Sequence, residues 1–345
     1  MSEWIAPGQL ARRGVLGMNR RNLSYIGRYN DRSQYPLVDN KLKTKLVAVE
    51  AGLHVPDLLH VINTQHEIEL IEPDLAKLPA FVIKPAQGSG GKGIVVIESK
   101  TAEGFVKSSG DVLSLNDLKR HLSNIISGLH SLGGRMDVAI IEALVKVNPL
   151  FRQVSYEGVP DIRLIVFRGY PVMGMLRLAT KSSDGKANLH QGAIGVGLDI
   201  GSGRSISAVQ HERIITRHPD TGADLTKLAV PNWQELLTLA ARCYEVTQLG
   251  YLGCDIVLDE QHGPLVLELN ARPGLSIQIA NNEGLVPRLR QIEGLKSLST
   301  DAEERVGYAM QQFSRLEGIG QGELWSESDD PDSDPGQPLA SHPQN

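Results

Sequence analysis

Residues Phe81–Ile97, FVIKPAQGSGGKGIVVI, read as strand, glycine-rich turn and strand. The apolar runs Phe81-Val82-Ile83 and Ile94 to Ile97 flank Gly88, Ser89, Gly90, Gly91 and Gly93, which predicts a hairpin whose tip can fold over a ligand. Glycine lets backbone N–H groups come close to a phosphate, and Lys84 at the base and Lys92 near the tip add positive charge. On its own the stretch fits both a phosphate cradle and an ordinary glycine-rich hairpin. It fits neither a P-loop nor a Rossmann turn, because GxxxxGK[ST] is absent and no helical pattern follows the glycines.

The 345 residues suffice for a sizeable core in two or three lobes. The formal charge is −5, and Ser326 to Asn345 holds Glu327, Asp329, Asp330, Asp332 and Asp334 without a lysine or arginine. The remainder is therefore near neutral, which argues against a nucleic-acid partner. Cys243 and Cys254 lack CxxC spacing and read as reduced core residues. The N-terminus has no signal-peptide pattern, and no apolar run approaches the roughly 18 residues of a membrane span, so a cytoplasmic protein is expected.

Residues 1–39 carry Arg12-Arg13, Arg20-Arg21, Arg28 and Arg32 with little periodicity, which predicts a solvated or substrate-facing arm open to a protein partner or a second copy. Asn40 is expected to cap a helix reaching about Gly52, with Leu42, Leu46, Val49 and Leu53 as its apolar side and Lys41 and Lys45 sharing a face. Leu115, Leu118, Leu122, Ile125, Leu129 and Leu132 predict an amphipathic helix ended by Gly133-Gly134, and Val138–Val145 a buried strand. IRLIVF and VMGMLRL read as strands joined at Arg168–Pro171, Ser182–Ser205 as a long functional loop, and Trp233 onward as a helix capped by Asn232 and stopped at Gly250. The chain then divides into an Arg-rich arm (1–39), a small lobe with the glycine hairpin (40–145), a large lobe (146–320) and a disordered acidic tail (321–345).

The second informative stretch is Cys254–Asn270, CDIVLDEQHGPLVLELN. If Asp259 and Pro264 flank a four-residue loop, Asp255 lies opposite Glu268; period-2 alternation adds Asn270 to that face and turns Leu265, Leu267 and Leu269 into the core. Three hard oxygen donors without histidine or cysteine suit Mg²⁺ shared with phosphates. The competing reading is a solvated polar face, although two acids facing each other without a cation would repel.

Together these motifs resemble the ATP-grasp superfamily over roughly Asn40 to Leu285. Asp161-Ile162-Arg163, Asn188-Leu189-His190 and GPLVLELNARPGL are most similar to the ribosomal-protein glutamate ligases and related alpha-L-glutamate ligase-like proteins. The resemblance implies an α+β fold of two lobes sandwiching ATP, with a shortened N-terminal arm in place of a full Rossmann-like pre-domain. It also implies ATP with Mg²⁺, in two ions or with Mn²⁺ as the substitute, and small-molecule or peptide carboxylate and amine substrates joined as an amide through an acyl phosphate. Glutamate or another amino acid would be added to an amino acid, peptide or protein. The alternative is a catalytically reduced Mg-ATP-binding partner protein.

Position by position, the resemblance assigns Lys41, Lys84 and the hairpin residues Gly88, Ser89, Gly90, Gly91 and Gly93 to the phosphates. Glu142, Ala143 and Leu144 would read the adenine edge, and Asp161 would contact the nucleotide. Arg163, Arg177 and Asn188 would serve the transferred phosphate, and Asp255, Glu268 and Asn270 the metal. Each has a plainer reading: Lys41 as one of several surface lysines, Glu142 as the polar end of a strand, Asp161 and Arg163 as an ion pair, and His190 as a structural loop histidine. Gln191 stands where relatives tend to have arginine, and Arg272 where they favour a small residue, which leaves Arg272 open to a substrate carboxylate or a partner.

Overall fold

The computed structural model describes residues 7–315 except Ser89 and Leu132. The strands are β1 (Leu58–Ile62), β2 (Phe81–Pro85), β3 (Val95–Thr101), β4 (Gly104–Lys107), β5 (Val112–Leu113), β6 (Ala139–Ala143), β7 (Asp161–Phe167), β8 (Tyr170–Leu178), β9 (Ile194–Leu198), β10 (Ser205–Gln210), β11 (Arg213–Ile215), β12 (Tyr251–Asp259) and β13 (Gly263–Asn270). They form two antiparallel sheets, ordered β1-β6-β2-β3-β4-β5 and β11-β10-β9-β8-β7-β12-β13. The predicted glycine hairpin is β2 and β3, with Phe81 opposite Ile97 and Ile83 opposite Val95.

The helix Leu115–Ile126 covers the first sheet. Leu118, Leu122 and Ile125 recur with helical period and pack on Phe81, Ile83 and Ile141. Ser114 caps it in a reciprocal bond with Asp117. The helix stops at Ile126 rather than at Gly133-Gly134: Gly128 has φ +88 and a Cβ there would strike the Arg135 carbonyl, and Leu129 is exposed.

The second sheet is larger and drier. Helices Trp233–Thr247 and Ala302–Phe313 join β7, β8, β9 and β12 in a core that holds Leu164, Val166, Leu176 and Leu236. Asn232 does not cap the first of these helices: it is left-handed and donates to Glu235. Cys243 and Cys254 are free and buried. The expected long loop Ser182–Ser205 contains β9. Its alternating glycines concealed a strand, and they are needed because a Cβ at Gly197 would strike the Ala280 carbonyl.

The arm is not solvated. Leu16, Tyr25, Ile26 and Val38 are buried in the large core, and Tyr25 and Tyr29 meet the Phe167 ring edge-on at 5.6 and 4.9 Å. Asn30 exchanges two hydrogen bonds with the Tyr251 backbone, at 2.8 and 2.7 Å. These anchors sit in turns and one- or two-turn helices, so they show no period in the sequence.

The helix Lys41–Glu50 also departs from its pattern. Asn40 caps it as expected, yet Leu46 and Val49 point to water while Thr44, Lys45 and Ala48 are buried. Ala48 and Leu53 belong to the large core, so this helix is not part of the small-lobe core. Among the described residues no helix is long and apolar enough to cross a membrane. The acidic tail lies outside the described residues. Tyr25→Ala removes an aromatic anchor and is expected to cost roughly 3–5 kcal/mol in urea unfolding; a loss below about 1 kcal/mol would mean that the arm does not stabilise the large core.

Candidate functional site

A cleft runs between the two sheets and is lined by Lys41, Thr44, Lys45, Lys84, Glu142, Val266, Leu267 and Glu268. At its inner end Glu142, 4% exposed, receives Lys84 at 2.6 Å on one oxygen and Lys45 at 3.0 Å on the other. Lys84 is on β2 and Glu142 on the adjacent β6; Lys45 arrives from the helix, and its ammonium also meets the Pro56 carbonyl. Burial pushes the Glu142 carboxyl up, but the Lys84 and Lys45 charges outweigh it and hold the group below its ordinary range. Burial lowers Lys45, and Glu142 opposes this only in part. In sequence Lys45 is distinguished only by sharing a face with Lys41; its inward position follows from the helix orientation.

Beside Glu268 a row of charges crosses four strands, alternating in sign from Arg177 to Asp255. Register places Arg177 on β8 opposite Asp161 on β7, Arg163 on β7 opposite Asp255 on β12, and Asp255 opposite Glu268 on β13. Arg177 grips both oxygens of Asp161 and reaches Asp255 at 2.9 Å. Arg163 binds Asp255 through two parallel bonds of 2.7 and 2.6 Å. Burial raises Asp255, and the Arg177 and Arg163 guanidiniums overcome it, bringing the group down to about 2. Asp161 is held up by burial and by the neighbouring Asp255 charge, which together outweigh the Arg177 and Arg163 guanidiniums.

The predicted opposition of Asp255 and Glu268 is present, but the turn is shorter than expected. Asp259 pairs with Gly263, and a β-bulge between Asp255 and Ile256 restores the register. The bulge turns Leu267 out of the core, where the alternation had put it, and into the cleft beside Val266.

Lys41 joins the two lobes. Its ammonium donates to the Gly88 carbonyl at 2.7 Å and pairs with Glu268 at 3.2 Å. The two stems of the hairpin are held by the helix Leu115–Ile126 and the segment after it. The buried Asp137 accepts from the Gln87 N–H at 3.0 Å, from Ser131 at 2.6 Å and from the Val138 N–H at 2.7 Å. The Gly93 carbonyl meets His121 Nε2 at 3.0 Å, and the His121 and His130 rings lie tilted against each other with centroids 5.5 Å apart. Asp137 was missed because a single aspartate before a strand carries no motif. Ser89 lies outside the described residues.

Other assignments are brought together less completely. The Ala143 N–H already donates to the Asp57 carbonyl, and β6 ends there, before Leu144. Asn188 caps its own short turn by accepting from the His190 N–H, and among the described residues no hydrogen bond joins it to Arg177. Gln191 is exposed, and Arg272 pairs with Asp39 at 3.3 Å over the Tyr35 ring.

The donor set fits a hard divalent cation. Asp255, Glu268 and Asn270 neighbour one another on β12 and β13, and Glu268 is partly open to solvent. Asp255 keeps acceptor capacity on Oδ1, which takes a single hydrogen bond, whereas Oδ2 takes bonds from Arg163, Arg177 and Asn270. Among the described residues no three His, Cys, Asp or Glu side chains form a ready-made metal centre, so Asn270 has to complete the set.

A family model described as sugar-transfer associated ATP-grasp matches residues 20–294 of this sequence. The chain belongs to the sugar-transfer associated ATP-grasp family. Its two antiparallel sheets and their helices are the α+β architecture of the ATP-grasp fold expected from the motifs. A relative from Maridesulfovibrio salexigens, a probable alpha-L-glutamate ligase, is 25% identical over 236 residues, covering 68% of this chain and 56% of the relative. The chain thus spans little more than half the length of that relative. The ATP-grasp ligase PsnB complexed with its minimal precursor aligns with a TM-score of 0.43 at 15% identity over 89% of this chain and 72% of that one. The D-alanine–D-alanine ligase of Bacillus anthracis complexed with ATP aligns with a TM-score of 0.42 at 13% identity over 87% and 74%.

In this ATP-grasp chain the hairpin glycines are not equivalent. Gly91 has φ +75 and open space at its Cβ position, whereas a Cβ on Gly93, φ +76, would lie 2.6 Å from the His130 ring. The fold itself therefore requires glycine at position 93. Gly93→Ala is expected to lose more stability than Gly91→Ala, with His130→Ala recovering part of the difference; equal losses would remove that contact.

Acid sensitivity follows from Asp255. Its folded value lies below the ordinary carboxylate value of about 3.9, so its stabilisation is present above pH ~4 and disappears as the pH falls toward 2. Unfolding free energies from urea titrations between pH 5 and pH 2 should fall less in Asp255→Asn than in the wild type by on the order of 2 kcal/mol, and parallel curves would contradict this.

Proposed function

We propose that this chain is an ATP-dependent ligase that joins a carboxylate to an amine. The observation that carries this reading is the span of Lys41 from the glycine hairpin to Glu268, which links the Lys84–Glu142 pocket to the strand pair on which Glu268 faces Asp255. The name of the Maridesulfovibrio salexigens relative supports addition of glutamate or another amino acid to an amino acid, peptide or protein.

In this reading the adenine lies against Leu267 and Val266 with its edge toward Glu142 and Lys84, and the triphosphate runs under the glycine hairpin past Lys41. A substrate carboxylate oxygen attacks the γ-phosphorus and ADP leaves; the amine then attacks the acyl carbon, and phosphate leaves with the former carboxylate oxygen. Arg163 and Arg177 stabilise charge that accumulates on the transferred group, since preorganised cations in a water-poor site act without reorganisation. Glu268 and Asn270, with Asp255, would hold a divalent cation, which neutralises phosphate charge when bound. No side-chain nucleophile is needed; positioning and exclusion of water carry the rate.

The expected result is ADP release that requires both an acid and an amine, and that Glu268→Gln reduces by at least roughly 100-fold while thermal unfolding is unchanged. ADP release untouched by Glu268→Gln would remove that residue from the mechanism. Tight Mg-ATP binding without turnover across amino acids and peptides would identify a nucleotide-binding protein instead.

A further inference from the structure

Glu142 is held by two lysines, one on each oxygen, and Lys45 is buried on the inward side of a helix whose expected apolar residues Leu46 and Val49 point to water. We propose that Lys45 determines the base selectivity of the nucleotide pocket by keeping Glu142 an ionised, acceptor-only group. The inference rests on the adenine-binding reading of this cleft and adds the residue that enforces the choice of base.

The chemistry is a matter of hydrogen-bond polarity. An ionised carboxylate only accepts, so it suits the amino group at the purine 6-position and opposes the carbonyl oxygen that hypoxanthine and guanine carry there. A protonated carboxyl has an O–H and suits that carbonyl. Which form Glu142 takes is a contest between burial, which favours the neutral acid, and the two ammonium groups, which favour the anion. With Lys45 present the anion wins. The groups facing this pair are Lys84 from β2 and Asp57 from the segment before β1. Neither replaces Lys45: Lys84 is already committed to the other Glu142 oxygen at 2.6 Å, and Asp57 has the wrong sign. Lys45 therefore acts through Glu142 and is a positioning residue.

The test is titration calorimetry of the full chain with ATP and with inosine triphosphate, which differ at the 6-position and the adjoining ring nitrogen. The wild type is expected to prefer ATP by roughly tenfold or more at pH 7, because a buried carbonyl set against a carboxylate loses its hydrogen bond. Lys45→Met should bring the two affinities within about threefold, and raising the pH should restore the preference as Glu142 ionises. Lys45→Gln, which keeps a donor for the Pro56 carbonyl, gives the same readout if the methionine variant does not fold. An unchanged ATP preference in a folded Lys45 variant, or a reduced preference that ignores pH, overturns the role of Lys45 while leaving the nucleotide site in place. Failure of the wild type to bind either nucleotide overturns the adenine-binding reading itself.

Discussion

Burying a carboxylate requires a cation, and this constraint organises the cleft. Glu142, Asp161 and Asp255 are each less than a tenth exposed, and each is gripped by ammonium or guanidinium groups from a neighbouring element. A buried anion without such partners would be neutralised or would destabilise the fold by several kcal/mol. The cations are drawn from β2, β7, β8 and the helix Lys41–Glu50, so the demand for neutralisation fixes how these elements sit around the cleft. It also explains why the inward face of that helix is polar. Lys45 is turned inward to meet Glu142, while Leu46 and Val49 are left in water.

Polar contacts tie the lobes. Lys41 links the Gly88 carbonyl to Glu268, and the segment from Asp137 to Val138 anchors the hairpin entry within its own sheet. The arm performs the corresponding task for the larger sheet. Its Tyr25, Tyr29 and Asn30 close over Phe167 and Tyr251, making the first described segment part of the large core. The glycines follow the same logic of close approach. Gly197 admits the Ala280 carbonyl, and Gly93 admits the His130 ring.

Much of this was legible beforehand. Two strands around the glycines, the period of Leu118, Leu122 and Ile125, and the facing of Asp255 and Glu268 all depend on neighbours close in sequence. The errors have a common form. The Leu42–Leu46–Val49 pattern predicts a buried stripe, Gly195 and Gly197 hide β9, and the anchors of the arm have no period. In each case a partner distant in the chain overrode local pattern. The pairing of Asp255 with Glu268 survived because the shorter turn and the bulge shift the register in opposite senses, and Leu267 moved into the cleft as a result.

By itself the sequence determined the strand–glycine–strand hairpin, the acidic and amide donors of β12 and β13, and the membership of the charged residues, because hairpin pairing and side-chain alternation are local properties of the backbone. Only the tertiary structure decided which charges meet: that Lys45 shares Glu142 with Lys84, that Arg177 spans Asp161 and Asp255, and that Lys41 bridges the lobes. The reason is physical. A buried charge is paired by whichever opposite charge packing delivers within a few ångströms, and that neighbour is set by the approach of separate elements rather than by distance along the chain.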